Sequence, residues 1–270
     1  MIFYSNFAKN EGDMNLLRGM TQSLKAVADL LLPRTCITCD RRLHLNEEHL
    51  CSECLADMPL TRFHMLRHNQ MADKFNDAIQ KYIEEQWTAN THTGSLQLEK
   101  YAYALALFFY SSESDYRHIT HRIKYHSDLR AGEYFGKMLG KEVASAQWLC
   151  DVDAVIPVPL HWTRKWSRGY NQAEIIARAV AKEIGVPLRV DILERMRRTK
   201  TQTKVEITDK GANVRDAFRA RSAGTITHIL LIDDVFTTGS TLGECFKALR
   251  KVYLPSVRIS VATLGFVGRA

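Results

Sequence analysis

No run of about 18 apolar residues occurs in this chain, so no membrane-spanning helix is expected. The stretch Met1 to Asn10 mixes aromatic and polar side chains and lacks the apolar core and small-residue cleavage site of an export signal, which makes a cytoplasmic location the expectation. Also missing is any Gly-x-x-x-x-Gly-Lys-[Ser/Thr] string, so the chain is not an obvious ATP-driven motor. Neither sign of charge dominates: 37 Lys+Arg stand against 30 Asp+Glu, a net +7 that suits polyanionic ligands without singling out nucleic acid.

With 270 residues, 46% of them hydrophobic, the chain can hold one α/β domain of ordinary size and a small accessory module. Residues 1–32 read as a tail and a helix. An amphipathic pattern begins at Met14 and continues through Leu17, Met20, Leu24, Val27 and Leu31, which makes Met14 an alternative translation start. Residues 33–60 hold Cys36-Ile37-Thr38-Cys39 and Cys51-Ser52-Glu53-Cys54. Two Cys-x-x-Cys knuckles at this separation can place Cys36, Cys39, Cys51 and Cys54 on one structural zinc, with no open position for a substrate. A redox pair or two disulfides would need a single motif or an oxidising compartment. His44 and His49, between the knuckles, read as surface residues, and Cys245 as a core residue of a helix.

Residues 61–100 read as a linker or hood-like segment, with one helix through Phe75, Ile79, Tyr82 and Ile83 and a loop from Trp87 to Leu98. From 101 to 270 strands and helices alternate. Strands are expected over Ala102–Tyr110, Val152–Val158, Leu188–Ile192, Ile229–Ile232 and around Val257–Val261. A helix is expected from Asn171 to Ile184, stopped by Gly185 and Pro187. That rhythm predicts a mainly parallel sheet with helices on its faces.

The densest chemistry lies in Ile229-Leu230-Leu231-Ile232-Asp233-Asp234-Val235-Phe236-Thr237-Thr238-Gly239-Ser240-Thr241. A strand buried on both faces is expected to stop at two carboxylates, then pass through a hydroxyl-rich turn into a helix. Open parallel sheets bind ligands beyond the carboxyl ends of their strands, and a helix starting there offers free N–H groups to an anion. Carboxylates accept hydrogen bonds and suit sugar hydroxyls. The expected ligand therefore carries both a phosphate and a sugar. The string resembles the phosphoribosyl pyrophosphate (PRPP) motif of type I phosphoribosyltransferases. The resemblance implies that Asp233 and Asp234 hold the ribose hydroxyls, while Thr237, Thr238, Gly239, Ser240 and Thr241 wrap the 5′-phosphate.

A second loop, running from Pro159 to Gln172, carries Arg164, Lys165 and Arg168 between Trp162, Trp166 and the string Gly169-Tyr170-Asn171-Gln172. If its strand lies parallel to the Asp-Asp strand, both loops share one crevice and the cations suit a pyrophosphate. Lys165-x-x-Arg168-Gly169-Tyr170-Asn171-Gln172, preceded by Pro157-Val158-Pro159-Leu160, resembles the signature of the ComF family of competence proteins, as do Ile123-Lys124-Tyr125 and the stretch from Arg198-Thr199-x-x-Gln202 to Phe218. That resemblance implies a four-cysteine zinc finger joined to a phosphoribosyltransferase-type domain that acts in natural transformation on single-stranded DNA. It also implies Mg²⁺ with PRPP and a flexible lid carrying Arg198 and Gln202, with Arg198, Asp233 and Asp234 as the catalytic supports. The alternatives are an active phosphoribosyltransferase of unknown acceptor and a PRPP-sensing adaptor for a DNA-uptake helicase. Thr237 stands where purine-salvage relatives carry an aspartate, and a threonine cannot act as that acid or base at neutral pH.

Overall fold

The computed structural model describes residues 33–89, 98–125, 128–160, 169–196 and 217–269. They belong to two compact units divided after Met58. In the smaller unit the first knuckle is a tight hairpin: Thr35 bridges Arg42, Leu43 N donates to Arg34 O (2.8 Å), and Asp40 adopts the left-handed conformation at the tip (φ 56°). The second knuckle opens a short helix, α1 (Ser52–Ala56), whose N-cap is Cys51.

The larger unit runs α2 (Gln70–Ala89), β1 (Ala104–Phe109), α3 (Arg117–Tyr125), α4 (Leu129–Ser145), β2 (Ala154–Pro157), α5 (Gln172–Ile184), β3 (Leu193–Arg195), β4 (Phe218–Ala220), β5 (His228–Phe236), α6 (Ser240–Arg250) and β6 (Arg258–Phe266). Four strands form one sheet in the order β1-β6-β5-β2, parallel throughout, as the alternation predicted. Its central strands are apolar on both faces: Ile229 to Ile232 are fully buried, as are Val261, Ala262 and Leu264. The α5 helix keeps its expected limits, with Asn171 accepting from Ala173 N at one end and Gly185 in the left-handed region (φ 71°) at the other. Among the described residues no helix is long and apolar enough to cross a membrane.

Three local expectations give way. The β5 strand does not stop at the carboxylates: it continues to Phe236, because Val235 and Phe236 pair with Gly265 and Phe266 of β6. The Leu188–Ile192 alternation is not a strand. Only Leu188 bridges, to Val155, and Val190 is 52% exposed, so the face these alternating residues share is not covered along its length. The chain instead forms the two-stranded antiparallel ribbon β3–β4, which flanks the segment expected as a lid. Finally, in the 61–100 segment, expected as a linker or hood-like element, the helix runs past the residue where the loop is expected to start. Trp87 belongs to α2, and Phe75 of that helix packs edge-on against Phe236 and Phe246. Residues Pro59 to Thr61 line the open edge of β1, where Phe109 N donates to Pro59 O (2.8 Å) and Thr61 N to Leu107 O (3.1 Å). These bonds cover backbone groups that an edge strand would otherwise expose.

At the amino end of the sheet lies a polar chain, buried at His228 and Ser260 and open to solvent at Asp151. His228 Nδ1 donates to Asp151 Oδ1 (2.6 Å), and its Nε2 accepts from Ser260 Oγ (2.8 Å), which in turn accepts from Tyr103 N (3.1 Å). Burial holds the ring below its ordinary pKa against the pull of Asp151, so the folded protein keeps it neutral. An imidazole depressed on folding costs stability as pH falls below about 6.5, where the unfolded chain takes up a proton that the native state resists. Denaturant unfolding at pH 7.5 and 5.5 should therefore show a loss on acidification that is smaller in His228→Gln than in wild type. Equal losses in the two proteins would remove the ring from the account.

Candidate functional site

Two adjacent parallel strands, β2 and β5, end at the same edge of the sheet, so the residues that follow them leave side by side. There β5 delivers the acid pair. Neighbours in a strand face opposite sides, and the two carboxyls meet different surroundings. Asp234 is buried (7% exposed); its Oδ1 accepts from Val235 N (2.8 Å) and its Oδ2 lies 2.6 Å from Lys124 Nζ, at the end of α3. Asp233 is half-buried, and its Oδ1 accepts from Asp234 N (2.9 Å). Burial is the main reason its carboxyl is pushed up to about 7; Asp234 adds to this, while Lys124 and Arg195 oppose it. Near neutrality Asp233 can thus donate as well as accept, where the sequence suggested acceptance alone.

The turn that follows is shaped by Gly239. Its φ is 76°, and a Cβ there would stand 2.7 Å from the Phe236 ring, so glycine alone fits without displacing that ring. Thr238 and Ser240 hydroxyls are 2.8 Å apart, and Thr237 and Thr238 are exposed. No side chain caps α6, whose backbone begins at Ser240. An uncapped helix start with a ring of hydroxyls is a place where an anion can complete the hydrogen bonding.

Beyond β2, Val158 N donates to Ile232 O (2.8 Å), which ties the start of the loop after β2 to β5 just before the acid pair. Asn171 Nδ2 donates to Val158 O (3.1 Å) while its Oδ1 caps α5, and the Tyr170 hydroxyl donates to Ile123 O at the end of α3. Gly169 has φ 79°, Gln172 is buried, and Pro159 and Leu160 are half-buried. The bonds of Tyr170 and Asn171 thus join α3, β2 and α5 at the crevice. Lys165, Arg168, Trp162 and Trp166 lie outside the described residues, as do Arg198 and Gln202. Lys124 is the site residue that sequence reasoning left out of its assignments. The one available signal was the string Ile123-Lys124-Tyr125.

In the smaller unit Cys36, Cys39, Cys51 and Cys54 bring their sulfurs within 4.8 Å of one another, and Cys39 and Cys51 are 3.7 Å apart. A tetrahedral zinc with sulfur ligands at about 2.3 Å spaces them about 3.8 Å apart, so the cluster fits that ion. The electrostatics point the same way. Burial raises the Cys36 thiol, but backbone N–H groups of Cys39, Cys51 and Thr38 outweigh it and bring the value to about 7, whereas burial and the neighbouring thiols push Cys54 well up. Four thiolates cannot share this space without a cation. His44 is exposed and is not part of the cluster.

Residues 171–265 match the phosphoribosyl transferase domain, and residues 27–64 match the double zinc ribbon domain. The first span holds the acid pair and its turn but not Lys124; the second holds all four cysteines. The chain is similar to competence protein F of Haemophilus influenzae, 36% identical over 110 residues, which are 40% of this chain and 48% of that protein. It is also similar to the DNA utilization protein YhgH of Salmonella typhimurium and of Escherichia coli K12, 28% and 26% identical over 144 residues, 52% of this chain and 63% of each relative. The matched region thus spans about half of competence protein F and less than two thirds of the YhgH proteins.

Proposed function

We propose that this relative of competence protein F, a phosphoribosyl transferase domain joined to a four-cysteine zinc ribbon, binds PRPP at the carboxyl end of β5 and serves the uptake and utilisation of DNA in the cytoplasm. The observation that carries the first half is the succession on β5 and α6: a carboxyl pair in partial burial, a turn only glycine can make, and a helix start without a side-chain cap. In this reading Asp233, with Asp234 beside it, meets the ribose hydroxyls. Thr237 to Thr241 and the α6 amides hold the 5′-phosphate. Lys165 and Arg168 from the loop after β2, and Arg198 and Gln202 from the lid, attend the pyrophosphate. Mg²⁺ would arrive on the pyrophosphate oxygens and neutralise their charge.

The second half draws on the relatives, whose names are tied to competence and to DNA utilization. The net charge of +7 and the cations flanking Trp162 and Trp166 suit single-stranded DNA, which binds through phosphate contacts and base stacking.

Calorimetry on zinc-loaded full-length protein tests the ligand: PRPP with Mg²⁺ and ribose 5-phosphate should both give saturable heat, and Asp233→Asn with Asp234→Asn should weaken binding at least tenfold. No heat with either compound would remove the crevice reading. Retention of a fluorescent single-stranded oligonucleotide should fall with salt and be lost when Arg164, Lys165 and Arg168 become Ala. Retention that ignores both changes would remove the DNA reading.

A further inference from the structure

Lys124 has no place in the function proposed above, yet it makes an ion pair in the crevice, 2.6 Å from Asp234 Oδ2. It is not a loose surface lysine. It lies in the last turn of α3, whose Ile119 and Ile123 are buried, whose Arg122 pairs with Asp128 (3.3 Å), and whose Ile123 carbonyl accepts the Tyr170 hydroxyl. The lysine is half-buried, while the next residue, Tyr125, is 60% exposed. The last turn of α3 therefore aims one cation at the acid pair.

The pair itself is divided. Both Asp234 oxygens are engaged, one by Val235 N and one by Lys124, whereas Asp233 Oδ2 has no hydrogen-bond partner among the described residues. Among the described residues, the charged or titratable groups around Asp233 are Asp234 on its own strand, Lys124 from α3, Arg195 from β3, and Cys245 from α6, which also has Glu244 nearby. Tyr125 adds to the field at Lys124. A phosphorylated sugar carries negative charge toward two consecutive carboxyls, and uncompensated carboxylates would repel it.

We infer that Lys124 is a positioning residue for the sugar phosphate: it anchors Asp234 to α3, cancels its charge, and leaves Asp233 as the carboxyl that meets the ribose hydroxyls. This rests on the reading of the crevice as a phosphorylated-pentose site. It goes beyond that reading in giving the two carboxyls different tasks and in making a cation on a separate helix the condition for admitting a polyanion.

The test uses zinc-loaded full-length protein and ribose 5-phosphate at pH 6 and pH 8, with affinities expressed relative to wild type at the same pH. Lys124→Met should bind at least tenfold more weakly at pH 8 and come within about threefold at pH 6, where protonation of Asp233 removes the negative charge that the missing cation would have offset. Lys124→Arg should stay within about threefold at both. Equal affinity to wild type, or a loss that is the same at both pH values, would overturn the inference, the second because it would mark a direct phosphate contact or a structural role. Should wild type itself fail to bind, the crevice reading falls, and a ligand-free measurement still decides on Lys124. Lys124 is one of the groups that hold the Asp233 carboxyl down, so without it Asp233 is pushed further up and Lys124→Met should lose more stability between pH 5 and pH 8 than wild type does. Parallel stability curves would overturn the pairing of tasks whatever the ligand.

Discussion

Removing zinc should unfold the ribbon between Arg34 and Met58 and leave the parallel sheet standing. The ribbon's buried apolar residues are Cys36, Ile37, Leu43, Leu50, Cys51 and Met58, and two of these are themselves ligands. So little core cannot offset the entropy of ordering the segment. Structural zinc contributes on the order of 10–16 kcal/mol in small ribbons, far more than the remaining contacts can supply. The Arg41–Glu53 pair is exposed and does not make up the difference. Chelation, or Cys51→Ser, should therefore release one zinc per chain and open the segment to protease. The larger unit, with its own sheet and core, should keep its cooperative melt. Cys51 is the informative position because it is both ligand and N-cap of α1, with Cys54 N donating to its sulfur (3.5 Å). A ribbon that stays protease-resistant after chelation, or protein purified without stoichiometric zinc, would end the structural-zinc account.

What the sequence disclosed and what it hid follow from the range of the interactions concerned. Four cysteines in two knuckles carry their own spacing, and the fold brings their sulfurs together. Asn171 and Gly185 mark the ends of α5 because caps act within a turn of their own helix. The length of β5 was not legible, since Val235 and Phe236 are strand residues only by virtue of Gly265 and Phe266 on β6. Nor was the pairing of Lys124 with Asp234, which no local pattern encodes. Leu188, Val190 and Ile192 alternate as a strand should, but period two makes a strand only where pairing and cover continue along its length, and here pairing stops near Leu188 and cover lapses at Val190. Trp87 reads as loop in the sequence because its neighbours are polar. The helix holding it is fixed further back, by Asn69 Oδ1 accepting from Met71 N and Ala72 N and by Met71, Phe75 and Ile79 on one buried stripe.

Gly136→Val should be the most damaging single substitution in the larger unit. By helix propensity alone it should help, because glycine inside α4 is less favourable than alanine by about 1 kcal/mol. Packing reverses the sign. Gly132, Gly136 and Gly140 fall on the α4 face that meets α5. A Cβ at Gly136 would stand 2.9 Å from the Ala179 Cβ and 3.0 Å from the Ile176 carbonyl oxygen, which is backbone and cannot step aside. At Gly132 the near atoms are all side chain, the closest a methyl of half-buried Ile175, and at Gly140 the closest is the stem of Glu183. Valine at 136 would force the helices apart at a cost of about 3 kcal/mol or more. Gly132→Ala should cost least of the three sites, its strain offset by propensity. The damage should also reach the crevice, since α5 begins at Asn171, whose amide holds the Val158 carbonyl after β2. Urea unfolding should place the midpoints in the order wild type, Gly132→Ala, Gly136→Val, with ribose 5-phosphate affinity falling in step for the last. A Gly136→Val protein as stable as wild type would mean that α4 and α5 do not approach this closely.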